Sequence, residues 1–290
     1  MEPREFLPYA LVSQGGGTRG AFTAGVQEVL LKEGFRFSYL IGTSAGALNN
    51  LVYLSEDAEC GRFVTTELVG DRKFLSLYNY ISKDGLFDFS YLFHELSKNA
   101  PLDYETMDRS PARYVAVATS LETGQATYFE KGKVRDFWAA IAASASLPFL
   151  AKPVDVDGGL YLDGGMTAAI PWRKPLEEGY SKLVVILTKP IDYRKKEKTI
   201  DPKAALPKMV FRKYPDFAKA YLDWARVYNQ DMEDLLALEQ EGKAFIIAPK
   251  ESLEVSKTER HARKLIPVYE AGVARAGELL PALKEFLKHE

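Results

Sequence analysis

The segment Gly42-Thr43-Ser44-Ala45-Gly46 sets a serine among small residues, directly after an apolar run and directly before a helical pattern. A strand that turns sharply into a helix projects the middle side chain from the turn, and the helix N-terminus behind it favours developing negative charge. Ser44 is therefore a candidate nucleophile, set against the plainer role of a helix cap. A second segment, Gln14-Gly15-Gly16-Gly17-Thr18-Arg19-Gly20, carries Gly15, Gly17 and Gly20 at the spacing of a dinucleotide-binding loop. That reading needs an acidic residue at the end of the second strand, where this chain instead enters the Ser44 turn. A glycine loop beside such a turn is better read as an oxyanion hole, with backbone N–H donors aimed at a tetrahedral intermediate.

A serine nucleophile needs a base, ordinarily a histidine oriented by a carboxylate. His94 lies in an apolar helical stretch, while His261 and His289 lie among charged residues of expected surface helices. None has a flanking motif that brings it to a nucleophile, and a structural role is expected for each. Two Asp-Gly-Gly segments offer carboxylates instead. Asp157-Gly158 falls between two short apolar runs and reads as a hairpin turn. Asp163 ends the second run, and Gly164 and Gly165 after it allow close backbone approach, which suits a carboxylate delivered into a site.

The elements that must position these residues alternate strand and helix, which is how a parallel sheet with crossover helices reads in sequence. Strands are expected at residues 7–12, 39–41, 114–119, 126–129 and 182–187, with helices at 21–33, 45–54 and 134–144. Residues 154–156 and 160–162 form the hairpin that leads to Asp163. The stretch 60–110 is mixed, and its aromatic run at 86–93 is read as core packing rather than pocket lining. Arg194-Lys195-Lys196-Glu197-Lys198 is read as a solvated basic loop, against contact with phosphate headgroups. Beyond it, long charged helices at 215–241 and 258–288 flank an apolar strand at 244–248. This pattern predicts a catalytic domain over residues 1–200 and a mainly helical extension over 201–290.

With 290 residues, 47% of them hydrophobic, the chain can bury a large core. A net charge of -2 gives no general reason to expect nucleic acid or an anionic membrane surface as a partner. The single cysteine, Cys60, cannot form an internal disulfide, and no Cys/His spacing suits zinc. Neither a signal-peptide pattern nor an apolar run of transmembrane length is present. The expectation is a cytoplasmic protein with at most peripheral membrane contact.

The glycine loop, the Ser44 turn and Tyr161-Leu162-Asp163-Gly164-Gly165, in this order, resemble the patatin-like phospholipases. Ala143-Ser144-Ala145-Ser146-Leu147-Pro148 resembles a further block of that family, and the likeness covers roughly residues 8–190. It implies a three-layer α/β/α fold with a mainly parallel sheet, and hydrolysis of lipid acyl esters through an acyl-enzyme on Ser44. By position, Asp163 takes the Ser44 proton and later activates water, so that neither histidine, metal nor cofactor is needed. Backbone N–H groups of Gly15, Gly16 and Gly17 would hold the oxyanion, while Gly20, Gly42, Gly46, Gly164 and Gly165 shape the loop and turns. Arg19 resembles the basic residue of the family loop, and either attracts a lipid phosphate or orders the loop. Segments such as Lys213-Tyr214-Pro215-Asp216-Phe217 and Tyr269-Glu270-Ala271-Gly272 resemble the extension of the family's bacterial YjjU-like branch. The alternatives are an acyltransferase built on the same dyad and a lipid-binding module without turnover. No motif bears on oligomeric state or on the lipid headgroup.

Overall fold

A computed structural model describes residues 5–76, 78–79, 85, 87–99, 102–197 and 205–288. Its strands are β1 (Leu7–Ser13), β2 (Phe37–Thr43), β3 (Arg113–Ser120), β4 (Ala126–Glu130), β5 (Val154–Val156), β6 (Gly159–Asp163), β7 (Leu183–Ile186) and β8 (Ala244–Ile247). The helices are α1 (Gly20–Lys32), α2 (Ala45–Leu54), α3 (Ala58–Thr66), α4 (Phe89–Lys98), α5 (Tyr104–Arg109), α6 (Phe137–Ser144), α7 (Arg173–Glu177), α8 (Ala205–Val210), α9 (Pro215–Gln240) and α10 (Ala262–Lys288). All eight strands join one sheet in the order β5-β6-β3-β2-β1-β7-β8, with β4 paired to β3 off that path. Strands β3, β2, β1, β7 and β8 are parallel, whereas β4 and β6 each run antiparallel to β3.

Helices cover both faces, which is why the central strands are apolar at nearly every position rather than at alternate ones. In β1, Leu11 enters a cluster with Phe22 and Val26 of α1, Leu51 of α2 and Val268 of α10. Its neighbours Ala10 and Val12 enter the opposite cluster with Tyr228, Met232 and Leu235 of α9. Successive side chains thus point to opposite layers, as strand geometry requires. The result is the three-layer α/β/α arrangement with a mainly parallel sheet that the sequence leads one to expect.

The later part of the chain shares this sheet and core. β8 pairs with β7 from Leu183↔Ala244 to Ile186↔Ile247. Helix α10 crosses α1 so closely that a Cβ on Gly25 would collide with the Tyr269 carbonyl, and one on Gly272 with the Phe22 carbonyl. The expected division at residue 200, the basic residue Lys198 and the start of the aromatic run at Leu86 lie outside the described residues.

Some boundaries differ from expectation for local reasons. Helix α6 starts at Phe137 because the Asp136 side chain caps it, accepting the Ala139 N–H at 3.0 Å. Helix α10 starts at Ala262 because the Glu259 carboxylate accepts the N–H groups of Arg260 and His261 at 3.0 and 3.1 Å, engaging them ahead of the helix. Asp57, just ahead of the mixed stretch, and Asp88 and Asp103 within it each cap a helix, α3, α4 and α5, through a side-chain bond. Phe87 and Phe89 are stacked at 6.1 Å and pack on Phe74 against the core, yet with Leu92 they also line a cavity, so the run serves both roles rather than core packing alone.

The helix crossing gives a paired test. Gly272→Ala pushes a methyl group into backbone and is expected to lower stability by about 3 kcal/mol. Gly277→Ala, on the same helix with open space around it, is expected to raise stability by up to about 1 kcal/mol through helix propensity. Thermal unfolding of the two variants reads the difference.

Candidate active site

Strand β2 delivers Ser44 at its carboxyl end, and α2 begins at the next residue. Ser44 has φ 56° and ψ -125°, outside the regions that ordinary residues occupy. The flanking glycines make this turn compact: a Cβ on Gly42 would run into the Gly46 backbone, and one on Gly46 into the carbonyls of Ser13 and Gln14. The Ser44 N–H donates to Ser144 Oγ at 2.9 Å, and Ser144 Oγ donates in turn to the Val117 carbonyl at 2.6 Å. Thr43 Oγ1 donates to the Ala168 carbonyl at 2.7 Å. Beneath the turn, Asn50 Oδ1 accepts from Ser13 Oγ at 2.7 Å and from Gln27 Nε2 at 2.9 Å, tying β1, α1 and α2 together. Buried and paired, these groups fix the turn.

The glycine loop leaves β1 beside this turn. Gly15 N–H is already engaged with the Ala169 carbonyl at 3.1 Å, and Thr18 N–H with the Lys257 carbonyl at 3.0 Å. Among the described residues, no acceptor is found for the N–H groups of Gly16 and Gly17. Of the three glycines expected to serve an oxyanion, two therefore present open donors and Gly15 anchors the loop. Gln14 braces it from below: Oε1 accepts the Thr188 N–H at 2.6 Å, and Nε2 donates to Tyr228 Oη at 3.2 Å. Thr188 Oγ1 donates to the Gly15 carbonyl at 3.0 Å. Gly20 opens α1, where its carbonyl accepts from Asn49 Nδ2 at 2.9 Å.

Strand β6 brings in Asp163, paired with Ala118 of β3. The Asp163 N–H donates to the Ser146 carbonyl at 2.8 Å, and its carbonyl accepts from Thr119 Oγ1 at 2.9 Å. Gly164 leaves room for the Val117 carbonyl, and Gly165 N–H donates to Asp163 Oδ1 at 2.7 Å. The other oxygen, Oδ2, is buried with no hydrogen-bond partner among the described residues. The Ser44 side chain is near enough to favour the ionised carboxylate, yet it closes no bond on Oδ2. Such open geometry is common before substrate arrives. Burial is the largest influence on this carboxyl and raises its pKa, opposed by Ser44, the Gly165 N–H, Lys257 and Lys195.

Ser44 stands where two cavities meet. One, of about 60 Å³, is walled by Leu48, Val69, Phe74, Phe87, Phe89 and Leu92. The other, of about 250 Å³, contains Asp163 and is lined by Arg19, Lys189, Lys195, Lys257, Trp224 and Tyr228 among others. Lys195 Nζ lies 3.8 Å from the Trp224 ring centre and 4.2 Å from that of Tyr228. Burial, then repulsion by Lys257, lowers the Lys195 pKa to about 6. The Lys257 pKa is likewise lowered by burial, opposed by Asp163, although the residue keeps exposed surface.

The structure thus brings Ser44, Asp163, Gly16, Gly17 and Arg19 to one cavity. His94 and His261 are exposed and line neither cavity at Ser44, His261 Nδ1 lying 2.6 Å from Glu259 Oε1; His289 is outside the described residues. Asp157 occupies the β5–β6 turn with φ 52°. Sequence reasoning missed Gln14, Ser144, Thr188, Trp224, Tyr228 and Lys257. Of these Gln14 had a signal in its place at the head of the glycine segment, and Ser144 in its place in the 143–148 block. Lys195 was assigned to a solvated loop and instead turns inward. Among the described residues no group of acidic, histidine or cysteine side chains could hold a metal, and no helix is long and apolar enough to cross a membrane.

Comparison with known proteins agrees with this geometry at the level of the family. The sequence profile of the patatin-like phospholipases matches residues 11–176, and that of a domain of unknown function, DUF6363, matches residues 214–288. The uncharacterised protein YjjU of Escherichia coli is 32% identical over 194 residues, which cover 64% of this chain and 54% of YjjU. An uncharacterised NTE family protein of Mycobacterium bovis is 31% identical over 168 residues, covering 56% of this chain and 44% of that protein. The chain spans about half the length of the curated relatives it matches. The crystal structure of VipD from Legionella pneumophila superposes with a TM-score of 0.52 at 12% identity, over 97% of this chain and 67% of VipD, a likeness of fold alone. The first profile spans more than half of the chain and takes in the glycine loop, the Ser44 turn and Asp163, and the chain belongs to the patatin-like phospholipase family.

Proposed function

We propose that this protein hydrolyses lipid acyl esters as a phospholipase A or lysophospholipase, with Ser44 as nucleophile and Asp163 as its base. The observation that carries this reading is the buried, unpartnered Oδ2 of Asp163 beside a serine on a strained turn, at the meeting point of an apolar and a polar cavity. Ser44 Oγ attacks the ester carbonyl carbon while its proton passes to Asp163 Oδ2. The N–H groups of Gly16 and Gly17 face the carbonyl oxygen as it becomes negative. Collapse of the tetrahedral intermediate expels the alcohol, which takes the proton from Asp163, and leaves the acyl group on Ser44. Asp163 then removes a proton from water, whose attack on the acyl carbon frees the fatty acid and restores the serine. The apolar cavity suits the acyl chain.

Ser44→Ala and Asp163→Asn are each expected to reduce kcat/KM for a p-nitrophenyl acyl ester about a thousandfold or more. Retained turnover in either variant contradicts the pairing. A raised folded-state pKa contributes stability that is present at low pH and lost as pH rises through it. Removing the ionisable group should therefore leave the melting temperature of Asp163→Asn at pH 8 equal to or above that of the native protein.

The base must be ionised to act, so kcat/KM falls as pH drops through the raised pKa of Asp163. The acidic limb then lies above about 4, the ordinary aspartate value. Lys257→Met removes a charge that favours the carboxylate and should move this limb to higher pH. A limb that stays in place or moves down contradicts Asp163 as the base.

A further inference from the structure

The polar cavity beside Ser44 has a charge imbalance that hydrolysis itself does not require. Arg19, Lys189, Lys195 and Lys257 line it, and Asp163 is the sole carboxylate lining it among the described residues. Among the described residues none of these four basic side chains forms an ion pair, and Arg19 Nε is buried with no hydrogen-bond partner. Asp231, the other carboxylate that acts on Lys195, is engaged with Arg173 at 3.1 Å. Gathering like charges with so little compensation is unfavourable unless something supplies the missing negative charge.

We propose that this cavity is a subsite for a phosphate anion, whose source is either the headgroup of the lipid being hydrolysed or free phosphate. The proposal deepens the lipid hydrolase reading for the headgroup source and stands apart from it for the other. The aromatic faces argue against a choline-bearing headgroup. A quaternary ammonium would need the rings of Trp224 and Tyr228, and Lys195 Nζ already lies against both. What remains accessible is guanidinium and ammonium, which recognise phosphate oxygens by charge-assisted hydrogen bonds. The arrangement is held in place: Lys195 N–H donates to Asn229 Oδ1 at 2.7 Å, and Asn229 Nδ2 donates to the Lys195 carbonyl at 2.9 Å. Helix α9 supplies Trp224, Tyr228 and the supporting Asn229, and the segment before α10 supplies Lys257, so the later part of the chain contributes both aromatic faces and one of the four basic side chains.

The low pKa of Lys195 supports this account. Lys257 opposes its charge, whereas Asp163 and Asp231 favour it, with Arg19 and Lys189 as the remaining cations lining the cavity. An arriving phosphate adds negative charge and draws a proton onto Lys195 at neutral pH.

Calorimetric titration of the native protein at pH 7 with inorganic phosphate, glycerol 3-phosphate and glycerol tests the subsite without turnover. Both phosphates are expected to bind with proton uptake, seen as a heat that changes with buffer ionisation, and glycerol is not. The double variant Lys195→Met, Lys257→Met is expected to weaken phosphate binding at least tenfold. If that variant fails to fold by circular dichroism, Arg19→Gln should weaken binding in the same direction. No binding of either phosphate, or binding unchanged in a folded variant, overturns the proposal.

The source is read from kinetics with a monoacylglycerol and the same monoacylglycerol carrying a phosphate. A preference of at least tenfold in kcat/KM for the phosphorylated ester, collapsing toward unity in the double variant, assigns the subsite to the headgroup. Phosphate binding without such a preference assigns it to free phosphate. Absence of any ester hydrolysis alongside phosphate binding overturns the hydrolase reading and leaves the subsite intact.

Discussion

The site depends on one close approach: the backbone of Gly46 lies against the carbonyls of Ser13 and Gln14, with no side chain between them. Because β1 and β2 are parallel neighbours, in register at Ser13↔Gly42, their carboxyl ends release the glycine loop and the Ser44 turn side by side. Gly46 lets those two segments touch. Ser44 and the Gly16 and Gly17 N–H groups are thus set by a single piece of sheet. Asp163 arrives on the antiparallel strand β6, and its position follows from the Ala118↔Asp163 pairing. Placing a site at the carboxyl ends of parallel strands is a general property of open α/β sheets. Here it explains why the residues of the site, from Ser44 to Asp163, come from distant parts of the chain.

Electrostatics follow from this packing. Delivering Asp163 to the foot of the turn buries it, and burial raises its pKa, which makes it a stronger base than an exposed aspartate. Raised too far, it would be protonated and useless at neutral pH. Lys195 and Lys257 oppose the rise from across the cavity, as does the Gly165 N–H. The cations are therefore coupled to Asp163 as well as to whatever occupies the cavity. An anion bound among them changes the environment of Asp163, which under the proposed mechanism links occupancy of the polar cavity to reaction at Ser44.

Much of this was legible in the sequence where the signal is local. The turn at Ser44, the glycine loop, the hairpin before Asp163 and the parallel strands each announce themselves through residue types at short spacing, and each lies where it was expected. The absence of a suitable histidine directed attention to Asp163, which the fold brings to the same cavity as Ser44, although its charge environment could not be foreseen. Lys195 illustrates the limit. In sequence it sits in a run of charges that reads as solvated, and it turns inward because α9, some thirty residues later, offers Asn229 to its backbone and two aromatic rings to its ammonium. Gly15 illustrates another. Nothing local says that its N–H will meet the Ala169 carbonyl rather than the cavity. Long-range contacts of this kind, and the joining of β8 and α10 to the main sheet and core, become visible only once the chain is folded.

The most direct test of the central claim is covalent labelling of the native protein with a fluorophosphonate, followed by mass-spectrometric location of the adduct. The account predicts a single adduct on Ser44, formed more slowly as pH falls and Asp163 takes up a proton. An adduct on another serine, or no adduct on folded protein even with lipid present, would contradict it.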